Sequence, residues 1–287
     1  MTMQKKHYMS FHSLEAILSK LNSFQQQCCL FSGCTDVGVM LRNGLIKAEL
    51  LLDCKNIPDL YGIEINNSHL IIKANESFSR ISNNSLIKKI FPLLANASLS
   101  VGSPAIRNRA TLAGNINTAS PAGDGLIVAY GLEAKIELKS INSSRLVRID
   151  HYISKTKTTD RRDDELITAI HFPLKQWTFQ KFFKIGKRNA LAISVVNGIV
   201  ALQLDKNKMI EDVRIALGAV APTPIRVKEA ELFLKGKTLS MELANNIDNI
   251  IRSKISPITD IRASANYRKY ISGVLVKRQL LDALEGQ

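Results

Sequence analysis

Apolar positions first recur at helical spacing at Leu14, Ile17, Leu18 and Leu21, directly behind Ser13, a residue suited to cap a helix. The short apolar run Cys28, Cys29, Leu30, Phe31 then breaks into Ser32-Gly33-Cys34-Thr35-Asp36, which predicts a buried strand ending in a tight polar loop. Residues 49–53 and 69–74 are further strand candidates. Residues 86–97 are apolar on one helical face, with Pro92 marking a kink or a junction. Residues 101–124, VGSPAIRNRATLAGNINTASPAGD, interrupt the alternation of apolar elements. This stretch is too polar for a core strand and too ordered in composition for a linker. Small residues let main chain approach a partner closely, and loop N–H groups can cradle an anion. A long surface loop would have the same composition.

Beyond it, residues 126–132 predict a helix, and 134–139 and 146–149 predict strands. A charged connector, 155–164, leads to a strand over 165–172 that Pro173 ends. The composition changes near 175–178. Three strand-like runs follow (179–185, 193–204 and 213–217), then three helical patterns (228–234, 241–254 and 263–284). Strands followed by helices read as an α+β layer, with helices on one face of an antiparallel sheet. A chain of 287 residues exceeds the usual single domain. We therefore expect one domain over 1–175 and a second over 176–287.

Charge narrows the partners. The 39 Lys and Arg against 25 Asp and Glu give a formal net charge of +14, which suits an anionic partner such as an acidic protein face, a phosphate-bearing cofactor or nucleic acid. Aromatic residues are only 6% and the basic residues are spread along the chain, which argues against a nucleic-acid interface. The basic start lacks the apolar stretch of a signal peptide. The longest apolar segment, 192–204, is interrupted by Ser194, Asn197 and Gln203 and is too short to span a bilayer. Cys28, Cys29, Cys34 and Cys54 form no C-x-x-C pair, so reduced thiols and a cytoplasmic location are expected, with no metal on this chain.

Common catalytic motifs do not fit. Gly123-Asp124-Gly125 starts like a dinucleotide fingerprint, but Val128 takes the third glycine position and no apolar strand precedes it. No P-loop, G-x-S-x-G or H-E-x-x-H occurs. The five histidines lie far apart, and Asp163-Asp164-Glu165 reads as a solvated turn.

Two polar segments abutting apolar sequence remain, and together they resemble those of the flavoprotein subunits of molybdenum hydroxylases of the xanthine dehydrogenase and carbon monoxide dehydrogenase type. Ser32-Gly33-Cys34-Thr35-Asp36 is similar to the family's A-G-G-T-D. Residues 106–116 and 119–124 are similar to its I-R-N-x-A-T-x-G-G-N-I and A-S-P-x-x-D. Downstream, residues 164–167, Phe183-Lys184, Arg188, 216–218, 221–226, Pro257, Asp260, 262–264 and Tyr267-Arg268 follow in the family's order. The resemblance spans nearly the whole chain.

The resemblance implies a two-lobed FAD-binding domain of the vanillyl-alcohol-oxidase/methylhydroxylase type, followed by a small antiparallel-sheet-plus-helices domain. By matching position it implies FAD contacts from Cys29, Leu30, Phe31, Ser32, Gly33, Cys34, Thr35 and Asp36, with backbone N–H groups around the pyrophosphate. Thr111, Leu112, Ala113, Gly114, Asn115 and Thr118 would approach from the other side. Asp124 would meet the ribityl or flavin end, Leu166 and Ile167 the isoalloxazine, and Lys184 would lie near the flavin. Read without the resemblance, Leu166 and Ile167 fit ordinary strand core, and Lys184 fits the solvent face of an alternating strand. Arg107 and Arg109 fit phosphate, partner or surface roles.

Two positions depart from the family's pattern: Cys34 stands where many relatives have Gly, and Ala113 replaces the first glycine of the second pair. If residue 113 needs a left-handed backbone, alanine there costs roughly 1–2 kcal/mol. The function implied is an electron-transfer subunit of a heteromeric oxidoreductase. Molybdopterin would sit on a large partner subunit and [2Fe–2S] clusters on a small one, and electrons would pass to NAD or another acceptor. A flavin-free scaffold subunit of the same kind of complex is the alternative expectation.

Overall fold

The structure, a computed structural model, describes residues 6–66 and 68–286. Strand β1 (His7–Ser10) opens the chain, and helix α1 (Leu14–Phe24) follows, its N-terminus closed by the Ser13 side chain accepting from Ala16 N. Strand β2 (Cys28–Phe31), the short helix α2 (Val37–Arg42) and strand β3 (Leu50–Asp53) come next. These three strands form a parallel sheet in the order β1-β3-β2. Neither β1 nor α2 is visible in the periodicity. His7–Ser10 carries no buried residue, and α2 buries none of its apolar side chains in this chain.

Strands β4 (Ile63–Ile65) and β5 (His69–Lys73) start a second sheet. A helical layer follows: α3 (Phe78–Asn83), α4 (Ser85–Ile90) and α5 (Pro92–Ser100). Pro92 is the junction expected of it, because it starts α5 where its missing N–H costs nothing. The stretch expected as a long polar loop instead carries short helices. It holds α6 (Pro104–Arg107), α7 (Leu112–Asn117) and the start of α8 (Asp124–Gly131). The Ser103 and Thr111 side chains cap α6 and α7, so residues that resemble turn formers serve as helix starts.

Strands β6 (Lys135–Lys139) and β7 (Ser144–Arg148), the turn of helix α9 (Ile149–Tyr152) and the small hairpin β8 (Ile153–Lys155) with β9 (Thr158–Thr159) lead to β10 (Leu166–Pro173). The second sheet then closes antiparallel in the order β4-β5-β10-β6-β7. The expected solvated turn at 163–165 holds only in part. Glu165 is 1% exposed and takes a two-pronged ion pair from Arg145, whose charge lets the carboxylate stay buried.

The rest of the chain follows the expected α+β order. Strands β11 (Phe179–Ile185), β12 (Val196–Leu204), β13 (Ile210–Gly218) and β14 (Ile225–Arg226) form an antiparallel sheet in chain order. Helices α10 (Lys228–Leu234), α11 (Met241–Lys254) and α12 (Ala265–Glu285) share a buried cluster with it. A larger cluster fills the first part of the chain and includes the tilted ring pair Phe91–Phe172, with centroids 6.0 Å apart. Helix α8 joins the two parts, lying against α5 and α7 on one side and β12 and β13 on the other. A Cβ at Gly131 would sit 2.2 Å from Ile199 Cδ1, so glycine is what lets α8 approach this sheet.

Candidate functional site: a cavity between two polar segments

Strand β2 delivers the chain into residues 32–36 at a fixed point, because Phe31 O accepts from both Cys54 N and Cys54 Sγ at 3.0 Å. The segment is then wedged against the loop before α7. A Cβ at Gly33 would fall 1.9 Å from Arg109 O, so no larger residue fits without moving backbone. Arg109 Nε returns a hydrogen bond to Gly33 O at 3.0 Å, and Thr118 Oγ1 donates to Asp36 Oδ2 at 2.7 Å. Two stretches separated by about 75 residues are thereby joined side by side.

Between them lies a cavity of about 310 Å³. The structure brings Leu30, Phe31, Ser32, Gly33, Cys34, Thr35, Asp36, Thr111, Ala113, Gly114, Asn115, Thr118, Leu166 and Ile167 together around it. The backbone N–H groups of residues 32–36 have no protein acceptor among the described residues, although they flank a cavity. Cys34 has φ 61°, and a left-handed step of this kind lets neighbouring N–H groups face one anion. Across the cavity, Thr111 Oγ1 accepts from Gly114 N at 3.0 Å and holds the start of α7. Phe78, Ile106, Leu166 and Ile167 supply apolar wall. The site therefore combines unpaired donors with an apolar wall, which suits a ligand that is anionic in one part and apolar in another.

Four expected residues do not line this cavity. Cys29 lies one strand position before Leu30, and burial pushes its thiol up. Leu112 is fully buried in the core. Asp124 and Lys184 meet each other in a buried ion pair. Asp124 Oδ1 also accepts from Ser194 Oγ at 2.9 Å and Asn197 Nδ2 at 2.7 Å, while Lys184 Nζ donates to Ser100 O at 3.1 Å, next to the cavity residue Val101. Lys184 is thus not a solvent-facing strand residue.

The two departures in the motifs exchange roles. Ala113 is the second residue of α7, in right-handed backbone, where alanine carries no penalty. The left-handed residue is Cys34. Arg107 and Arg109 bind main-chain carbonyls of 101, 102 and 33, so they brace the walls.

Sequence reasoning missed Cys54, Asn75, Phe78, Asn117 and Arg161, all of which line the cavity. Asn75 Nδ2 donates to Cys54 O at 2.8 Å, and Asn117 Oδ1 accepts from the buried Tyr152 hydroxyl at 2.8 Å. Burial pushes both the Cys54 thiol and the Tyr152 phenol up to about 12, so both stay neutral. Cys54 and Asn75 follow predicted strands, a weak signal; Arg161 sits in a charged run that reads as solvated surface.

Comparison with known proteins agrees with this geometry. The family described as the FAD binding domain in molybdopterin dehydrogenase matches residues 3–175, and the CO dehydrogenase flavoprotein C-terminal domain matches 181–283. The xanthine dehydrogenase FAD-binding subunit of Escherichia coli O157:H7 is 27% identical over 282 residues, 96% of each chain. The glyceraldehyde dehydrogenase medium chain of Sulfolobus acidocaldarius is 30% identical over 239 residues, 83% of this chain and 84% of that one. A chain in the structure of carbon monoxide dehydrogenase from Hydrogenophaga pseudoflava superimposes with a TM-score of 0.92 at 26% identity, covering 99% of both chains. With a cavity built from the two motif segments and a family match over most of its length, the chain belongs to the FAD-binding flavoprotein subunits of molybdopterin-dependent oxidoreductases.

Proposed function

We propose that this chain carries electrons within a multi-subunit molybdenum hydroxylase, receiving them from a [2Fe–2S] subunit and delivering them to NAD or another acceptor. Substrate would be hydroxylated on a separate molybdopterin-binding large subunit, in a cytoplasmic complex. Bound FAD supplies a centre that can accept electrons singly and release a pair. The observation that carries the reading is the row of acceptor-free N–H groups at 32–36, facing the same cavity as α7. A pyrophosphate needs several converging donors, and Gly33 lets the main chain come close enough to supply them.

In this reading the 32–36 backbone and the start of α7 hold the pyrophosphate, and Leu166 and Ile167 lie beside the ring. Asp124 and Lys184 support the wall from behind through Ser100. The division near residue 176 belongs to the same proposal. It is supported by two largely separate buried clusters and by family matches that fall on either side of it. Among the described residues no helix is long and apolar enough to cross a membrane.

The test is purification of the chain with its partner subunits. Bound FAD whose absorbance bleaches when the complex is given its substrate is the expected result. A complex that assembles without flavin would replace this proposal with the scaffold reading.

A further inference from the structure

One charged residue of the cavity has no task in the assignment above. Among the lining residues Asp36 is the one carboxylate and Arg161 the one cation, and Asp36 already accepts from the Thr118 hydroxyl. Arg161 lies just before β10 and is half-buried. Its Nη1 donates to Arg162 O at 3.0 Å and to Glu165 O at 2.7 Å. These two carbonyls set the plane of the guanidinium while engaging only one of its three nitrogens. Of the acids beside it in sequence, Asp160 and Glu165 are taken by Arg145, and among the described residues Asp163 and Asp164 make no ion pair with it. Nε and Nη2 therefore remain as an open fork with no protein acceptor among the described residues.

That edge is the one with which arginine grips a phosphate through two parallel hydrogen bonds. A guanidinium already held by backbone loses little further freedom when it does so. Its position also favours the phosphate part of a ligand. It is the one cationic side chain lining the cavity that residues 32–36 also line, and the pyrophosphate is the anionic part of the dinucleotide. The cation and the acceptor-free N–H groups thus border the same cavity. We propose that Arg161 grips the pyrophosphate of the bound dinucleotide together with the 32–36 backbone, and so makes the site select a dinucleotide over an uncharged flavin. This rests on the FAD reading and adds a side-chain contact to a site otherwise built from main chain.

The experiment titrates the full-length apoprotein with FAD and, separately, with riboflavin, following flavin fluorescence in the wild type, R161Q and R161K. R161Q is expected to weaken FAD about 10- to 100-fold, the range for losing hydrogen bonds to a charged group, and to leave riboflavin within about twofold. R161K, which keeps the charge without the fork, falls between. The rise of the FAD dissociation constant with salt should be shallower in R161Q than in the wild type. Unchanged FAD affinity in R161Q overturns the proposal, and so does an equal loss for both flavins. If circular dichroism shows R161Q unfolded, R161K decides by the same FAD-to-riboflavin comparison. A wild-type chain that binds no FAD overturns the function proposal as well, so the two failures are distinguishable.

Discussion

The two segments that face the cavity reach it by opposite means. Residues 32–36 have no regular structure; they are wedged by Gly33 against the Arg109 carbonyl and turn through a left-handed step at Cys34. Residues 111–115 are the start of an ordinary helix, with the Thr111 hydroxyl satisfying Gly114 N. The first keeps its donors free at a cost in backbone strain. The second is relaxed and provides the firm surface against which the first is held. Similar small-residue motifs thus make different demands, and a glycine matters only where the backbone or a neighbour requires it.

Gly33 is where the first segment is locked against the second. G33A places a methyl group where the Arg109 carbonyl stands, and should cost about 2–3 kcal/mol in urea unfolding and at least about tenfold in FAD affinity. A G33A protein with wild-type stability and flavin content would show that the two segments are not held by this wedge.

Next in size, C34G should raise the unfolding free energy by about 1 kcal/mol, because glycine adopts the left-handed backbone without penalty. A loss of stability would mean that the thiol's contacts outweigh the strain. T111A removes the cap of α7 and should cost about 1 kcal/mol; an unaltered urea midpoint would show that the helix start is held by packing alone.

The smallest change sharpens the contrast. A113G puts glycine at the second residue of a helix, so stability should fall by about 0.5–1 kcal/mol. Opposite signs for C34G and A113G in the same unfolding assay are the signature of the two designs. A gain for A113G would place the need for glycine in the second segment after all.

Much of the architecture is legible along the chain. Strands β11 to β13 show as strand-like runs, the apolar stretch within β12 being the longest, and Pro92 marks the α4–α5 junction, because burial and proline geometry act locally. What stays hidden depends on contacts distant in sequence or on polar residues with two uses. Strand β1 is four residues with no buried side chain, defined only by its pairing with β3. Helices α6 and α7 begin at Ser103 and Thr111, residues equally at home in turns. Glu165 looks solvated until Arg145, twenty residues earlier, is seen to pair with it. The motif segments can be read from their small residues, but their junction through Arg109–Gly33 and Thr118–Asp36 cannot. Arg161 is the clearest omission, since nothing local separates it from the charged residues around it.

The buried network around Asp124 has a consequence for cooperativity. Its carboxylate lies at the start of α8, while Lys184, Ser194 and Asn197 all come from beyond residue 176. Pulling the two parts of the chain apart would leave a carboxylate and an ammonium group without partners, each then needing solvent. That penalty discourages a state in which one part is folded and the other is not. Despite two buried clusters, the chain should melt in one calorimetric transition, and residues 1–175 expressed alone should be less stable than the same segment within the whole.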